Sequence, residues 1–217
     1  MNFWHLLSSF GNSAITIPIT LIVAIWLLAS REWRTSLVWC VLFGFSMVLV
    51  LITKIAFVGW GIGIESLDFT GISGHATRAA MVFPVLFYFG LQRAPRKVNS
   101  FGVILGMVLA VLISISRVMV NAHSGSEVLA GWLLGTGMAL IFFQIIKTHV
   151  ILISRRWLLA CSFFLLFISP TVKPLQADDM IAQLALKISR HNKAFDRSRW
   201  GHEMHEMHFW FRRATAS

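Results

Sequence analysis

Residues 100–146 read SFGVILGMVLAVLISISRVMVNAHSGSEVLAGWLLGTGMALIFFQII. Two apolar runs, Ser100–Val120 and Glu127–Ile146, flank a short polar joint at 121–126. Each run is about 20 residues long, the length at which an α-helix crosses the hydrocarbon core of a bilayer. The ionisable groups of the stretch, Arg117, His123 and Glu127, all stand beside the joint. An ionisable side chain at membrane depth is costly and marks a functional candidate.

Four more runs of the same kind extend outward from this pair: Ala14–Ser30, Ser36–Thr53, His75–Leu91 and Trp157–Val172. The expected fold is therefore all-α, an integral membrane bundle of six transmembrane helices over 14–172. A short interfacial segment precedes it (1–13), and a polar, basic, partly helical C-terminal tail follows (173–217). Segment 1–13 carries Phe3, Trp4, Leu6, Leu7 and Phe10 but no Lys or Arg, which argues against a cleaved signal peptide. Arg31 and Arg34, then Arg93, Arg96 and Lys97, then Lys147, Arg155 and Arg156 fall in alternate connections; 1–13, 59–74 and 121–126 contain no Lys or Arg. This asymmetry places the basic loops in the cytoplasm and the N-terminus outside. A bacterial inner membrane location follows, with the joint at 121–126 on the periplasmic or exterior side.

Composition agrees. The chain is 57% hydrophobic and only 13% charged, against about 25% charged in a soluble domain. The net charge of +10 is assigned to cytoplasmic loops and anionic lipid rather than to nucleic acid. Cys40 and Cys161 both lie in apolar runs and form no disulfide or metal spacing. In the tail, Ile181, Leu184, Ala185 and Ile188 recur at helical spacing over 179–194. His202, His205 and His208 lie farther on; without a second ligand cluster they are read as headgroup-boundary residues, and no metal or cofactor is expected. Leu175-Gln176-Ala177 after the sixth run resembles a processing site behind a signal anchor.

The charged and imidazole groups within the spans are few: Lys54, His75, Arg78, Arg117, His123 and Glu127. On this topology all stand near outer ends of spans, so one site is implied. Taken singly, Lys54 could snorkel, Arg117 could anchor at the interface and His75 could be a loop histidine. His123 and Glu127, four residues apart, share a helical face. A carboxylate behind an imidazole fixes its tautomer and leaves the other nitrogen free to attack. Gly71-Ile72-Ser73-Gly74-His75 is a small-residue turn entering a helix, where backbone N–H groups favour an anion. With Lys54, Arg78 and Arg117 the set suits a phosphoryl group, whose transfer depends on positioning and charge stabilisation.

Ser116-Arg117-x5-His123-x3-Glu127 resembles the third motif of the type 2 phosphatidic acid phosphatase superfamily, relatives of the vanadium haloperoxidases, in which the last residue is Asp. Ser73-Gly74-His75 is similar to its second motif, with Ile72 in place of proline. Lys54 resembles the lysine of its first motif, whose Arg-Pro pair is replaced by Gly61 and Ile62. The resemblance covers roughly 14–146. It implies a metal-independent lipid phosphatase in which His123 becomes phosphorylated, Glu127 orients it and His75 protonates the leaving oxygen. Lys54, Ser73, Gly74 and Arg117 would hold the phosphate, and Arg78, one turn after His75, would replace the missing arginine. The implied substrates are phosphatidic acid, phosphatidylglycerol phosphate, undecaprenyl diphosphate or lipid A phosphates. Phosphotransfer to an acceptor other than water, a non-catalytic lipid-phosphate binder, and a rhomboid-type serine protease built on Gly71-Ile72-Ser73-Gly74 remain alternatives. The protease reading leaves Lys54, Arg117 and Glu127 without a role.

Overall fold

A computed structural model describes residues 3–147, 177–190 and 193–197. The described secondary structure is helical, with one isolated β-bridge between Ile64 and Phe69. Its helices are α1 (Phe3–Phe10), α2 (Ser13–Ala29), α3 (Trp33–Trp60), α4 (Gly74–Gly90), α5 (Arg96–Met119), α6 (Gly125–Ile146) and α7 (Ala177–Ser189). Two compact units are defined: Met1–Val50 with Ile72–Leu175, and Leu51–Gly71 with Gln176–Ser217.

Helix α4 is the centre of the first unit. Ala76, Ala79, Ala80, Met81, Val82, Val85 and Phe89 are fully buried. Helices α5 and α6 reach it through small residues spaced four apart. On α5 these are Gly102, Gly106 and Ala110; on α6 they are Gly131, Gly135 and Ala139. A Cβ at Gly106 would come 2.8 Å from the Phe83 carbonyl, and one at Gly131 would come 2.5 Å from the Ser73 carbonyl. Gly135 has equally little room beside the Thr77 carbonyl. Small-residue stripes of this kind let helix backbones approach where no water-driven force separates apolar from apolar.

Helix α2 starts at Asn12, whose side-chain oxygen accepts from the Ala14 N–H at 3.1 Å, a standard N-cap. Polar bonds register α3 on it: Trp39 Nε1 donates to the Thr20 carbonyl and the Ser36 hydroxyl to the Ala24 carbonyl, each at 3.0 Å. The buried Trp39 ring then packs on Phe142 of α6, with centroids 5.0 Å apart.

Among the described residues, four stretches are long and apolar enough to cross a membrane: Phe3–Ala29, Trp33–Trp60, Arg96–Met119 and Gly125–Ile146. The expected run at His75–Leu91 is helix α4, but its 17 residues fall short of the usual crossing length. Its burial inside the bundle explains how it carries Arg78. The expected sixth run, Trp157–Val172, and the histidines of the tail lie outside the described residues.

One boundary needs correction. The second run does not end at Thr53: α3 continues to Trp60, so Lys54 lies inside a helix. The stop is Gly61, at φ +71°. Its N–H donates to the Phe57 carbonyl at 2.7 Å and the Ile62 N–H to the Ala56 carbonyl at 3.2 Å. With Gly61 left-handed, its 5→1 bond to Phe57 is the αL form of helix C-cap, which places glycine just beyond the helix end. The N-terminal segment expected at the interface forms a helix. Helix α1 packs on α5, with Leu7 and Ser8 buried while Phe3, Leu6 and Phe10 stay exposed.

In the second unit, α7 lies against the end of α3. A Cβ at Gly59 would meet Ser189 Cβ at 3.3 Å and the Ala185 carbonyl at 3.4 Å. The helix thus approaches through small residues, and Leu184 and Ile188 of its expected apolar face remain exposed. Farther on, the Phe195 N–H donates to the Val58 carbonyl at 2.9 Å. Arg197 reaches Asp68 and Thr70, each at 3.3 Å.

Candidate active site

The turn between α5 and α6 assembles the imidazole–carboxylate pair. Asn121 takes a left-handed conformation, φ 54°, which asparagine tolerates. The chain folds back so that the N–H groups of Ala122 and His123 donate to the Arg117 carbonyl at 3.0 and 3.3 Å. Arg117 and His123 are therefore neighbours across one turn. Ser116, the first residue of the motif, is fully buried and donates back to the Ile113 carbonyl; it holds the helix end and offers nothing to a ligand.

Ser124 then starts α6 with a capping box. Its hydroxyl accepts from the Glu127 N–H at 3.4 Å, and the Glu127 carboxylate accepts from the Ser124 N–H at 3.2 Å. The same carboxylate oxygen lies 2.7 Å from His123 Nδ1. Glu127 is wholly buried, while the His123 side chain keeps 13% of its surface exposed. A carboxylate that already accepts a backbone N–H acts as acceptor for the ring too. Nδ1 then carries the proton and Nε2 presents its lone pair. The capping box supplies a reason for Glu here: a Ser-x-x-Glu pair satisfies two N–H donors reciprocally, and the longer side chain still meets the ring.

The N-terminus of α4 is tied to that of α6. The Ser73 N–H donates to the Glu127 carbonyl at 3.1 Å, and Gly131 leaves space for the Ser73 carbonyl. Ser73 occupies the N-cap position of α4 yet makes no capping bond. Its hydroxyl is buried and has no hydrogen-bond partner. Such an orphan normally costs about 1–3 kcal/mol, so it signals a missing acceptor or donor. Gly74 and His75 follow in the first turn, whose N–H groups point toward the same helix end.

Helix α1 joins this group, which the sequence reading did not foresee. The Arg117 guanidinium donates from Nη1 to the Ser8 hydroxyl at 2.6 Å. Gly11 packs so closely that a Cβ there would sit 2.7 Å from Ile113 and 3.3 Å from His75. Arg78 donates from Nε to the Thr16 hydroxyl at 3.0 Å and from Nη2 to the Gly11 carbonyl at 3.3 Å. Its Nη1 lies 3.1 Å from where a Cβ at Gly74 would stand. Arg78 thus clamps the α1–α2 junction while lying beside Gly74. The signal available in the sequence was the small pair Gly11-Asn12, which breaks the helix between α1 and α2.

Lys54 falls in the second unit, where Gly71 packs against it: a Cβ at Gly71 would meet Lys54 Cγ and N at 3.2 Å. In that unit the place of the absent first-motif arginine is filled. A side chain at Gly61 would run into the Phe195 ring at 2.7 Å. Among the described residues no cluster of three or more His, Cys, Asp or Glu gathers as a metal site.

The chain is a membrane protein whose buried carboxylate holds a histidine beside an arginine and a helix N-terminus. Comparison with known proteins names the class. The family model described as PAP2 superfamily matches residues 61–151. An uncharacterized 22.5 kDa protein of the Klebsiella pneumoniae cps region is 37% identical over 145 residues, covering 66% of this chain and 69% of that one. Phosphatidylglycerophosphatase B of Bacillus subtilis is 30% identical over 141 residues, 62% and 68% of the two chains. Undecaprenyl-diphosphatase of Sulfolobus acidocaldarius is 30% identical over 152 residues, 65% and 68%. No solved structure gives a significant match. The chain belongs to the PAP2 superfamily, and its kinship is with membrane lipid phosphatases.

Proposed function

We propose that the protein hydrolyses a phosphomonoester or diphosphate carried on a membrane lipid, through a phosphohistidine at His123 and without a metal ion. The observation that carries this reading is the 2.7 Å contact of His123 Nδ1 with the wholly buried Glu127 carboxylate. It fixes the tautomer in which Nε2 is the nucleophile. In the first step Nε2 attacks phosphorus, the bond to the lipid oxygen breaks, and His75 gives that oxygen a proton. In the second step water attacks the phosphohistidine, His75 takes the proton, and inorganic phosphate leaves. Arg117, Ser73 and Gly74, with the first-turn N–H groups of α4, hold the phosphoryl oxygens; the orphaned Ser73 hydroxyl supports this assignment. Arg78 adds charge beside Gly74. The relatives' names span a phosphatidylglycerol phosphate and an undecaprenyl diphosphate, and both lipid classes are candidates here. The reading places the site on the exterior side of a six-span inner membrane bundle.

Phosphate release from a panel of lipid phosphates and diphosphates, with EDTA present, tests the reading on wild type and His123→Ala. Activity in the wild type alone supports it, as does acid-labile phosphate trapped on residue 123. Equal rates in the two proteins, or loss of wild-type activity with EDTA, would overturn it.

A further inference from the structure

Helix α1 lies outside the residues that the family model matches, yet one side of it closes on two groups of the site. Ser8 is 7% exposed, and its hydroxyl oxygen stands 2.6 Å from Arg117 Nη1. One turn on, the Gly11 N–H donates to the Ser8 carbonyl at 3.1 Å, and a Cβ at Gly11 would lie 3.3 Å from the His75 ring. Ser8 and Gly11 therefore stack along one side of the chain, the first against Arg117 and the second against His75. Arg78 pins this arrangement by donating to the Gly11 carbonyl at 3.3 Å.

The contact between Ser8 and Arg117 has only one sense. A guanidinium carries donors and no acceptor, so the serine oxygen accepts. The hydroxyl proton is left for another acceptor, and among the described residues the Ser8 side chain makes no further hydrogen bond. Its neighbour shows the ordinary outcome. Ser9 spends its proton on the Leu6 carbonyl at 2.6 Å, the local back-bond open to any serine on a helix. Ser8 forgoes that bond, although a buried donor without an acceptor costs stability. The result is an O–H donor beside a guanidinium and one turn from an imidazole. A group that answers both donors must be negatively charged and rich in acceptors, as a phosphoryl group is.

We propose that Ser8 is a phosphate-binding residue: its oxygen receives Arg117, and its proton goes to a phosphoryl oxygen held by the same guanidinium. The inference rests on the phosphatase reading and adds to the site a ligand from a helix that no motif includes. A lipid phosphate and free inorganic phosphate present the same oxygens, so both are recognised in this way.

Calorimetric titration of the full chain in detergent with inorganic phosphate tests this. Ser8→Ala should weaken binding by about tenfold, the worth of one hydrogen bond to a charged group. Ser8→Cys keeps the volume with a much weaker donor and should lose nearly as much. Ser9→Ala removes a hydroxyl that bonds only within α1, and should bind as the wild type does. Arg117→Lys separates a direct bond from mere support of the guanidinium, because it leaves a point charge without the fork. Adding Ser8→Ala to it should weaken phosphate by a further factor of about three or more; no further loss would overturn the proposal. So would wild-type affinity in Ser8→Ala or Ser8→Cys, or a wild type that binds no phosphate. In mixed micelles, KM for phosphatidic acid should rise in Ser8→Ala by the same factor with kcat little changed, since substrate and transition state share the bond; a loss confined to kcat would also overturn it. Ser8-dependent phosphate binding without any lipid hydrolysis would remove the phosphatase reading and keep the role of Ser8. Hydrolysis indifferent to Ser8 would do the reverse.

Discussion

The α5–α6 turn and the 59–71 loop both answer to motifs of one family, and they are built to different standards. At the turn, Glu127 is fully buried and its carboxylate serves a capping box and an imidazole at once, at 3.2 and 2.7 Å. At the loop, the ion pair of Arg197 with Asp68 spans 3.3 Å between side chains 36% and 56% exposed. The first arrangement admits few substitutions, since every group has a buried partner to strand. The second is held by solvated contacts and a packed ring. It is also where the family pattern is broken, at Gly61 and Ile62. Chemistry that must keep its geometry sits on helix ends inside the core; an exposed loop can change its residues and still close.

The largest effect that tests this contrast is His123→Ala, which should cut phosphate release by at least about 10⁴-fold, as loss of a nucleophile does elsewhere. Glu127→Gln keeps the shape but can present an N–H to Nδ1 and so no longer holds that nitrogen as the donor, and kcat should fall by about 10²- to 10⁴-fold; a loss under tenfold would break the idea that the carboxylate sets the tautomer. Gly135→Val places a branched side chain against the Thr77 carbonyl, so thermal unfolding in detergent should report a destabilisation of about 1–3 kcal/mol. Ser8→Ala removes the partner of Arg117, and KM should rise by up to about tenfold for a lost charge-assisted bond, with faster amide exchange over Phe3–Phe10. Asp68→Ala stands at the other extreme. An exposed pair of this kind is worth under about 1 kcal/mol, and activity should stay within twofold; a larger loss would mean that the loop is as exacting as the turn.

Much of this was legible in the chain itself. The apolar runs gave α2, α5 and α6 within a few residues, because length and hydrophobicity alone decide where a helix can meet lipid. The pairing of His123 with Glu127 was legible in their spacing but not its cause: His123 precedes the Ser124 N-cap, and the capping box rather than a shared helical face turns the carboxylate to the ring. The end of α3 was readable too, in Gly61, but a continuous apolar run hid the lysine inside it.

What only the tertiary structure decided is which remote segments meet. Nothing local to Ser8, Gly11 or Thr16 says that they face Arg117, His75 and Arg78, since each contact joins segments scores of residues apart and depends on how α1 lies on α5. Nor does a string of glycines say which neighbour it admits: Gly131 and Gly135 acquire meaning only once α4 presents the Ser73 and Thr77 carbonyls to them. Periodicity and spacing report what a helix does to its own residues. The choice of partner is made by shape, where backbones come close enough for one missing Cβ to matter.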